Sequence, residues 1–291
     1  MTIYNLGSVN IDMVYQVPHL PAPGETLAAK SYSQGLGGKG ANMSVAAARA
    51  GARTRHIGAV GTDGRWAIER LLEYGVDVGH ITEVSEVTGH AIISVDDSAE
   101  NSILLWPGAN YRLEVDQIGA ALAEADTGDT LLMQNETTGQ LVAAQIAKDL
   151  GFNIVYAAAP FEADEVKMLL PYIDLLFLNE IEAGQLETAI GKPINALEVP
   201  NVIVTLGADG CRWYANSLSL ETDFDAIKVE PIDTTGAGDT FTGYVVAGLD
   251  RGMPMAQAIK LATQASALMV TRLGTADVIP DLKDIQDAKL G

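Results

Sequence analysis

The sequence predicts an α/β protein built on a parallel sheet with helices on both faces, and three observations predict it. Short β-rich runs alternate with helical patterns along most of the chain, the order that a parallel sheet with crossover helices requires. Hydrophobic residues make up 48% of the 291 residues and charged residues 19%, which is enough apolar material for a large core and excludes disorder as the main state. The alternation breaks in one place. Two β-rich runs, at residues 90–95 and 102–106, follow each other across a polar, acidic turn, the pattern of a hairpin. A few extra strands, from about 12–36 and 88–106, are therefore expected to form a small sheet beside the large one, within one domain spanning 1–291.

In chain order, residues 4–8 open as the first strand. Residues 41–50 are small and apolar, with Val45 the only β-branched member, and read as a packed helix. A strand over 55–60 ends at Gly61. Residues 65–73 form an amphipathic helix with Trp66, Ile68, Leu71 and Leu72 on its apolar side. Further short strands are expected at 130–134, 154–158, 175–179 and 202–206.

Composition removes several functions. The 18 basic and 38 acidic residues give a net charge of −20, a field that repels nucleic-acid backbones and anionic lipid. Neither nucleic acid nor membrane is an expected partner, and no apolar stretch approaches the ~18 to 20 residues of a spanning helix. The opening Met1-Thr2-Ile3-Tyr4-Asn5 lacks the basic and apolar regions of a signal peptide, so a cytoplasmic protein is expected. One cysteine, Cys211, allows no internal disulfide and is expected to be buried and inert. His19, His56, His80 and His90 share no ligand spacing and read as structural or exposed.

Three segments carry chemistry. In Asp233-Thr234-Thr235-Gly236-Ala237-Gly238-Asp239-Thr240-Phe241, two glycines bracket an alanine and Phe241, Tyr244, Val245 and Leu249 follow at helical spacing. The glycines therefore open a helix, where unpaired N–H groups and the positive dipole end favour an anion. Asp239, at the same end, is either a cap or a general base for a hydroxyl nucleophile. Gly35-Leu36-Gly37-Gly38-Lys39-Gly40-Ala41-Asn42 is a second glycine-dense turn into a helix. Gly35, Gly37 and Gly40 match a dinucleotide fingerprint formally, with Asp63 some twenty residues on, but no strand directly precedes them; a Walker loop fails because Ala41 stands where lysine is required. What remains is a tight turn, or a backbone brought close to a small ligand with Lys39 as donor. In Gly7-Ser8-Val9-Asn10-Ile11-Asp12, Asn10 and Asp12 share one face at the end of the first strand and either suit paired hydroxyls or cap a turn.

Together these segments resemble the ribokinase family of sugar kinases, the phosphofructokinase B group. Gly-Gly-Lys-Gly-Ala-Asn at 37–42 matches its N-terminal signature and Asp-Thr-Thr-Gly-Ala-Gly-Asp-Thr-Phe at 233–241 its C-terminal one. Asn179-Glu180-Ile181-Glu182 is similar to its Asn-x-x-Glu element, and Thr205-Leu206-Gly207-Ala208-Asp209-Gly210 to its nucleotide-side turn. The resemblance, over residues 3 to 280, implies a Rossmann-like three-layer α/β domain with a β-sheet lid, the lids pairing two subunits as a homodimer. It implies transfer of the ATP γ-phosphoryl to a sugar CH₂OH, D-ribose giving ribose 5-phosphate in the first place, with fructose, 2-keto-3-deoxygluconate or a nucleoside as alternative acceptors.

Carried over residue by residue, the resemblance gives Asn10, Asp12, Gly38, Lys39, Asn42 and Glu136 the sugar hydroxyls and Asp239 the role of base. The N–H groups of Gly236, Ala237 and Gly238 hold the developing charge. Thr205, Gly207, Gly210, Gly238 and Asn179 fall to ATP, and Asn179 and Glu182 to Mg²⁺ through water. A monovalent cation, K⁺, falls to Asp233 and Thr235 with backbone at Met269, Arg272 and Gly274. Trp106, before Pro107-Gly108-Ala109-Asn110, is a candidate lid contact. Two departures stand out. Between Gly191 and Val202 the chain is short, leaving little room for a helix, and Thr275-Ala276-Asp277-Val278 lacks the serine usual near the cation loop.

Overall fold

The computed structural model describes residues 1–98 and 100–290. In chain order its elements are β1 (Thr2–Leu6), β2 (Asn10–Gln16), β3 (Ser31–Gly37), α1 (Lys39–Arg49), β4 (Arg53–Gly61), α2 (Arg65–Glu73), β5 (Asp77–Val84), β6 (Gly89–Val95), β7 (Asn101–Trp106), α3 (Val115–Leu122), β8 (Thr130–Met133), α4 (Gln140–Leu150), β9 (Asn153–Ala157), α5 (Ala163–Leu169), β10 (Leu175–Asn179), α6 (Glu180–Ile190), β11 (Asn201–Thr205), β12 (Cys211–Ala215), β13 (Leu220–Phe224), α7 (Ala237–Asp250), α8 (Met255–Met269) and α9 (Leu282–Ala288).

The large sheet runs β13-β12-β11-β10-β9-β8-β1-β4-β5. From β5 to β11 every pairing is parallel, and β12 and β13 close one edge antiparallel. Because side chains alternate across a strand, the central strands feed two cores at once. On β1, Ile3 joins the face packed by α1, α2, α7, α8 and α9, while Tyr4 and Leu6 join the face packed by α3 to α6. The three-layer α/β architecture read from the sequence is thus the observed one, without the antiparallel edge strands having been foreseen.

The order of the strands positions the site. From β1 the chain builds outward to β4 and β5, then crosses back to β8 and builds the other way. The switch lies between β1 and β8, and open α/β sheets bind ligands at the carboxyl ends of strands at such a point. The second sheet, β3-β2-β6-β7, stands over that end, with β2 antiparallel to β3, parallel to β6, and β6–β7 a hairpin. Of the turn expected in that hairpin, Ala99 lies outside the described residues.

Several expected boundaries move. The first strand covers Thr2–Leu6 rather than 4–8, because Gly7 and Ser8 already turn: the Ser8 carbonyl accepts the Ala41 N–H at 2.8 Å. The small sheet uses residues 10–16, 31–37, 89–95 and 101–106 rather than 12–36 and 88–106. Helix α1 starts two residues early, at Lys39, with Gly38 as its N-cap. Between Gly191 and β11 there is only a 3₁₀ turn, Ile194–Ala196, as the short spacing implied.

Candidate active site

The chain leaves the large sheet after Leu6, passes out along β2, returns along β3 and enters α1 at Lys39. Outgoing and returning segments therefore cross the same spot. Gly40 makes the crossing close: a Cβ there would lie 2.3 Å from the Ser8 backbone nitrogen and 2.4 Å from the Gly7 Cα. This is the close backbone approach suspected in the second glycine-dense turn.

Asn10 and Asp12 do share a face, but at the root of β2 in the small sheet, not at the end of β1. Asn10 pairs with Gly37 and Asp12 with Gly35. A Cβ on Gly37 would sit 2.2 Å from the Asp12 carboxylate, so only glycine leaves room for it. The Asn110 amide links two of these parts, donating to Asn10 Oδ1 at 2.8 Å and accepting the Val9 N–H at 2.9 Å.

Glu136, just past β8, binds the same junction. Its Oε2 accepts the Lys39 N–H at 3.0 Å and the Ser8 hydroxyl, and Ser8 Oγ in turn accepts the Gly40 N–H at 3.2 Å. Burial pushes the Glu136 carboxyl above its ordinary range, against the pull of Lys39.

Asp239 comes from the other side, in the first turn of α7. Gly236 caps that helix in the left-handed region at φ 77°, a conformation that glycine adopts without strain, and α7 has no side-chain cap. The Asp239 carboxylate is not a cap: its Oδ2 accepts the Asn42 Nδ2–H at 2.9 Å, and the side chain is buried. Asn42 Oδ1 is buried without a partner among the described residues. The Ala237 N–H reaches back to the Thr234 carbonyl at 3.2 Å. The other N–H groups of the first turn have no intrahelical acceptor and present positive ends to the cleft.

Asp12, Glu136 and Asp239 thus converge from three distant parts of the chain. The Asp12 carboxyl is pushed up to about 7, first by burial, then by the charges of Glu136 and Asp239, with the Thr275 hydroxyl drawing it down. Lys39 answers them: Asp239 raises its ammonium pKa, against desolvation, with Glu136 and Glu182 adding to the rise.

Beside the start of α7 lies a cavity of about 410 Å³, lined by Thr205, Gly207, Gly210, Val229, Gly238, Ala267 and Val270. It is largely apolar, within the range of small-molecule sites, and holds four of the five residues expected at the nucleotide. The fifth, Asn179, caps α6 in a reciprocal box with Glu182: Asn179 Oδ1 accepts the Glu182 N–H at 2.8 Å, and Glu182 Oε2 the Asn179 N–H at 2.7 Å. Burial raises the Glu182 carboxyl, and Lys39 draws it back.

Asp233 ties two loops. Its carboxylate accepts the Thr235 N–H at 2.9 Å and the Gly274 N–H at 3.2 Å. The Met269 carbonyl accepts the Arg272 N–H at 2.9 Å, while the Arg272 side chain turns away to Asp284. Trp106 does not face the cleft. The register pairs it with His90 and Ile11, on the opposite face from Asp12; Ala91 and Leu105 share the Asp12 face. Ser8, Asn110 and Thr275 went unassigned in the sequence because nothing local marks them. Cys211 is buried and its thiol is pushed up to about 12, which leaves it inert.

A buried proton acceptor, a helix N-terminus and a base-sized apolar cavity suit transfer of an anionic group to a hydroxyl. The model of the pfkB family carbohydrate kinases matches residues 2–282. The ribokinase of Haemophilus influenzae is 38% identical over 296 residues, covering 96% of this chain and 95% of that one. Among solved structures, ribokinase from Thermotoga maritima is 31% identical with a TM-score of 0.88, covering 99% of this chain and 98% of that one. Arabidopsis thaliana ribokinase, complexed with ribose and ATP, is 27% identical with a TM-score of 0.86, covering 100% and 99%. With the signature glycines, the converging carboxylates and these likenesses together, the chain belongs to the pfkB family of carbohydrate kinases.

Proposed function

We propose that the chain transfers the γ-phosphoryl group of ATP to O5 of D-ribose, giving ribose 5-phosphate and ADP. The observation that carries this reading is Asp239, held by Asn42 at the opening of α7, between the Asp12–Lys39–Glu136 cluster and the apolar cavity. Asn10, Asp12, Lys39, Asn42 and Glu136, with the backbone at Gly38, take the ribose hydroxyls. Asp239 accepts the O5 proton as the O5 lone pair bonds to phosphorus, and the electrons of the breaking P–O bond leave with ADP. First-turn N–H groups at Gly236 to Gly238 stabilise the charge on the migrating group. The adenine fills the cavity beside Val229 and Val270. The Arabidopsis relative, complexed with ribose and ATP, supports both halves.

Mg²⁺ fits this site through phosphates and water. Among the described residues no group of three or more His, Cys, Asp or Glu could hold a metal, and Mg²⁺ is commonly held by one or two carboxylates plus substrate phosphates. Glu182 is the carboxylate that would orient its water, beside Asn179; the ion supplies charge neutralisation on the phosphates. Oxygens of Asp233 and Thr235 with the backbone carbonyls of Met269, Arg272 and Gly274 would supply the oxygen-only donor set that K⁺ takes.

On the face of the small sheet turned away from Asp12, Leu104 and Trp106 of β7 and Ile92 of β6 are exposed, an apolar patch that a second copy of the chain would cover to form a homodimer. Leu104→Asp should then yield monomers on sedimentation. No helix of the described residues is long and apolar enough to cross a membrane, and a lone buried thiol suits the cytoplasm.

The test is an ADP-release assay over ribose, fructose, 2-keto-3-deoxygluconate and nucleosides, with and without Mg²⁺ and K⁺. Ribose should give the highest kcat/KM, Mg²⁺ should be essential and K⁺ activating. Turnover confined to another acceptor would overturn the ribose assignment, and ATP hydrolysis without phosphoryl transfer would overturn the kinase.

A further inference from the structure

Beneath the sugar-side junction runs a fully buried chain of polar side chains that the transfer chemistry does not use. Gln134 Nε2 donates to Asn5 Oδ1 at 2.8 Å. Asn5 Nδ2 donates to both the Gly40 carbonyl and Ser44 Oγ, each at 2.8 Å. Ser44 Oγ lies 2.8 Å from His56 Nδ1, and His56 Nε2 lies 3.0 Å from the Gly7 carbonyl. Asn5, Ser44 and His56 are wholly shielded from solvent and Gln134 is 1% exposed.

The directions of these bonds are fixed by chemistry. A carbonyl only accepts, so His56 Nε2 carries the proton toward Gly7, and Nδ1 must accept. The Ser44 hydroxyl therefore donates to His56 and accepts from Asn5, whose two amide protons are both used. Burial holds the His56 imidazole near pKa 4, so the neutral tautomer this pattern needs persists at physiological pH. The donors run from Gln134, just past β8, through Asn5 on β1 and Ser44 on α1 to His56 on β4; His56 at the end grips the Gly7 carbonyl, and Asn5 in the middle grips the Gly40 carbonyl.

That crossing is where the site is assembled. Gly40 precedes Ala41 and Asn42 and follows Lys39; Gly7 precedes Ser8, which holds Glu136. A polar chain in a core costs stability relative to apolar packing and fixes geometry where its members are satisfied. Of the polar side-chain atoms of Asn5, Ser44, His56 and Gln134, only Gln134 Oε1 lacks a partner among the described residues. We propose that Asn5, Ser44, His56 and Gln134 are positioning residues that lock the Gly7–Gly40 crossing, and so set Lys39, Asn42 and Glu136 for the sugar but not for ATP. The idea rests on the kinase reading for its effect on sugar, but its structural part stands apart from it.

The experiment compares wild type with Ser44→Ala and His56→Phe in the full chain. KM for ribose and for ATP is measured for each, together with hydrogen exchange of residues 37–44 and 234–242. Misplacing a bound group can cost about a hundredfold, so ribose KM should rise by about ten- to a hundredfold with ATP KM unchanged. Amides at 37–44 should exchange faster by about tenfold or more while 234–242 keep their rates. Both KM values moving together, or faster exchange with neither moving, would reduce the chain of bonds to ordinary core structure and overturn the proposal. If His56→Phe fails to fold, Ser44→Ala, which deletes one buried oxygen, decides. A wild type inert toward ribose would sink the kinase reading, and unchanged exchange at 37–44 would sink this one.

Discussion

The two walls of the cleft are made of different material. The wall proposed for the sugar is charged and buried: the charge of Asp239 helps raise the Asp12 and Glu136 carboxyls and leads the rise of Lys39, and all four come from separate segments. The wall proposed for the nucleotide is apolar and assembled from the last third of the chain, with Val229, Ala267 and Val270 around glycine-rich turns. The contrast follows from what each ligand offers. A sugar presents hydroxyls at fixed angles, which only placed donors and acceptors can read, and burying those groups costs free energy until the hydroxyls arrive. A purine presents area, which apolar side chains bind with little angular demand. Substitutions on the sugar wall should therefore change rates and selectivity, and those on the nucleotide wall mainly affinity.

The largest effect belongs to Asp239, which lies on the border of the two walls. Asp239→Asn keeps the shape and the Asn42 contact region but removes the proton acceptor, and should lower kcat by about 10²- to 10⁴-fold with small changes in either KM. Steady-state kinetics would show it; an unchanged kcat would take Asp239 out of the chemistry.

Asp12→Asn should separate function from stability. Losing a charged hydrogen-bond acceptor should raise the ribose KM by roughly ten- to a hundredfold. The same change should stabilise the protein at alkaline pH. The native carboxyl titrates near 7 against an ordinary 3.8, so native protein holds a proton that the unfolded chain has released between those values. The contribution is complete below 3.8 and lost as pH rises through 7, and asparagine removes that loss. Urea titrations at pH 5 and pH 8 should show a stability gap between variant and wild type that grows with pH. The kcat/KM for ribose should meanwhile rise through about 7 in the wild type, as the acceptor carboxylate forms.

His56 gives the opposite slope. Its imidazole titrates near 4 in the native state and 6.5 in the ordinary one, so the unfolded chain binds the extra proton in that window. Stability should fall as pH drops from 6.5 toward 4, and Ser44→Ala should leave that acid slope in place while His56→Phe removes it. Thermal melts across pH 4 to 7 would separate the two variants.

How much of this was legible in the sequence follows the same division. The layered α/β fold, the small second sheet, the Gly236–Asp239 helix start and the Lys39–Asn42 turn were readable because each is local: glycine spacing and apolar periodicity lie within a few residues. Asn10 and Asp12 were read correctly as sharing a face, yet assigned to the wrong strand, since Gly7 and Ser8 do not announce that the sheet ends at Leu6. Trp106 was a candidate lid contact because the segment Trp106–Asn110 resembles the one after the family's lid hairpin, while register, which no single segment encodes, puts Leu105 and not Trp106 on the Asp12 face. Ser8, Thr275 and the Asn5–Ser44–His56 chain stayed hidden. Their partners lie up to 239 residues away, as Thr275 and Leu36 do, and only the folded backbone brings them together. Asn179 and Glu182, read first for Mg²⁺ through water, form a reciprocal helix cap, and the metal role stays a proposal.

The smallest effect should come from the nucleotide wall. Val229 lines the apolar cavity without a polar partner to leave stranded, so truncation removes contact area and little else. Val229→Ala deletes two methyl carbons, worth about 1 to 1.5 kcal/mol of burial against a purine. The ATP KM should therefore rise by roughly five- to tenfold, with kcat and ribose KM unchanged, because the lost contact is equally present in ground and transition states. GTP and ATP should be affected alike, since area carries no donor or acceptor code. A loss of kcat, or a shift in ribose KM, would mean that this wall positions the phosphates as well as holding the base, and the division of labour between the two walls would have to be redrawn.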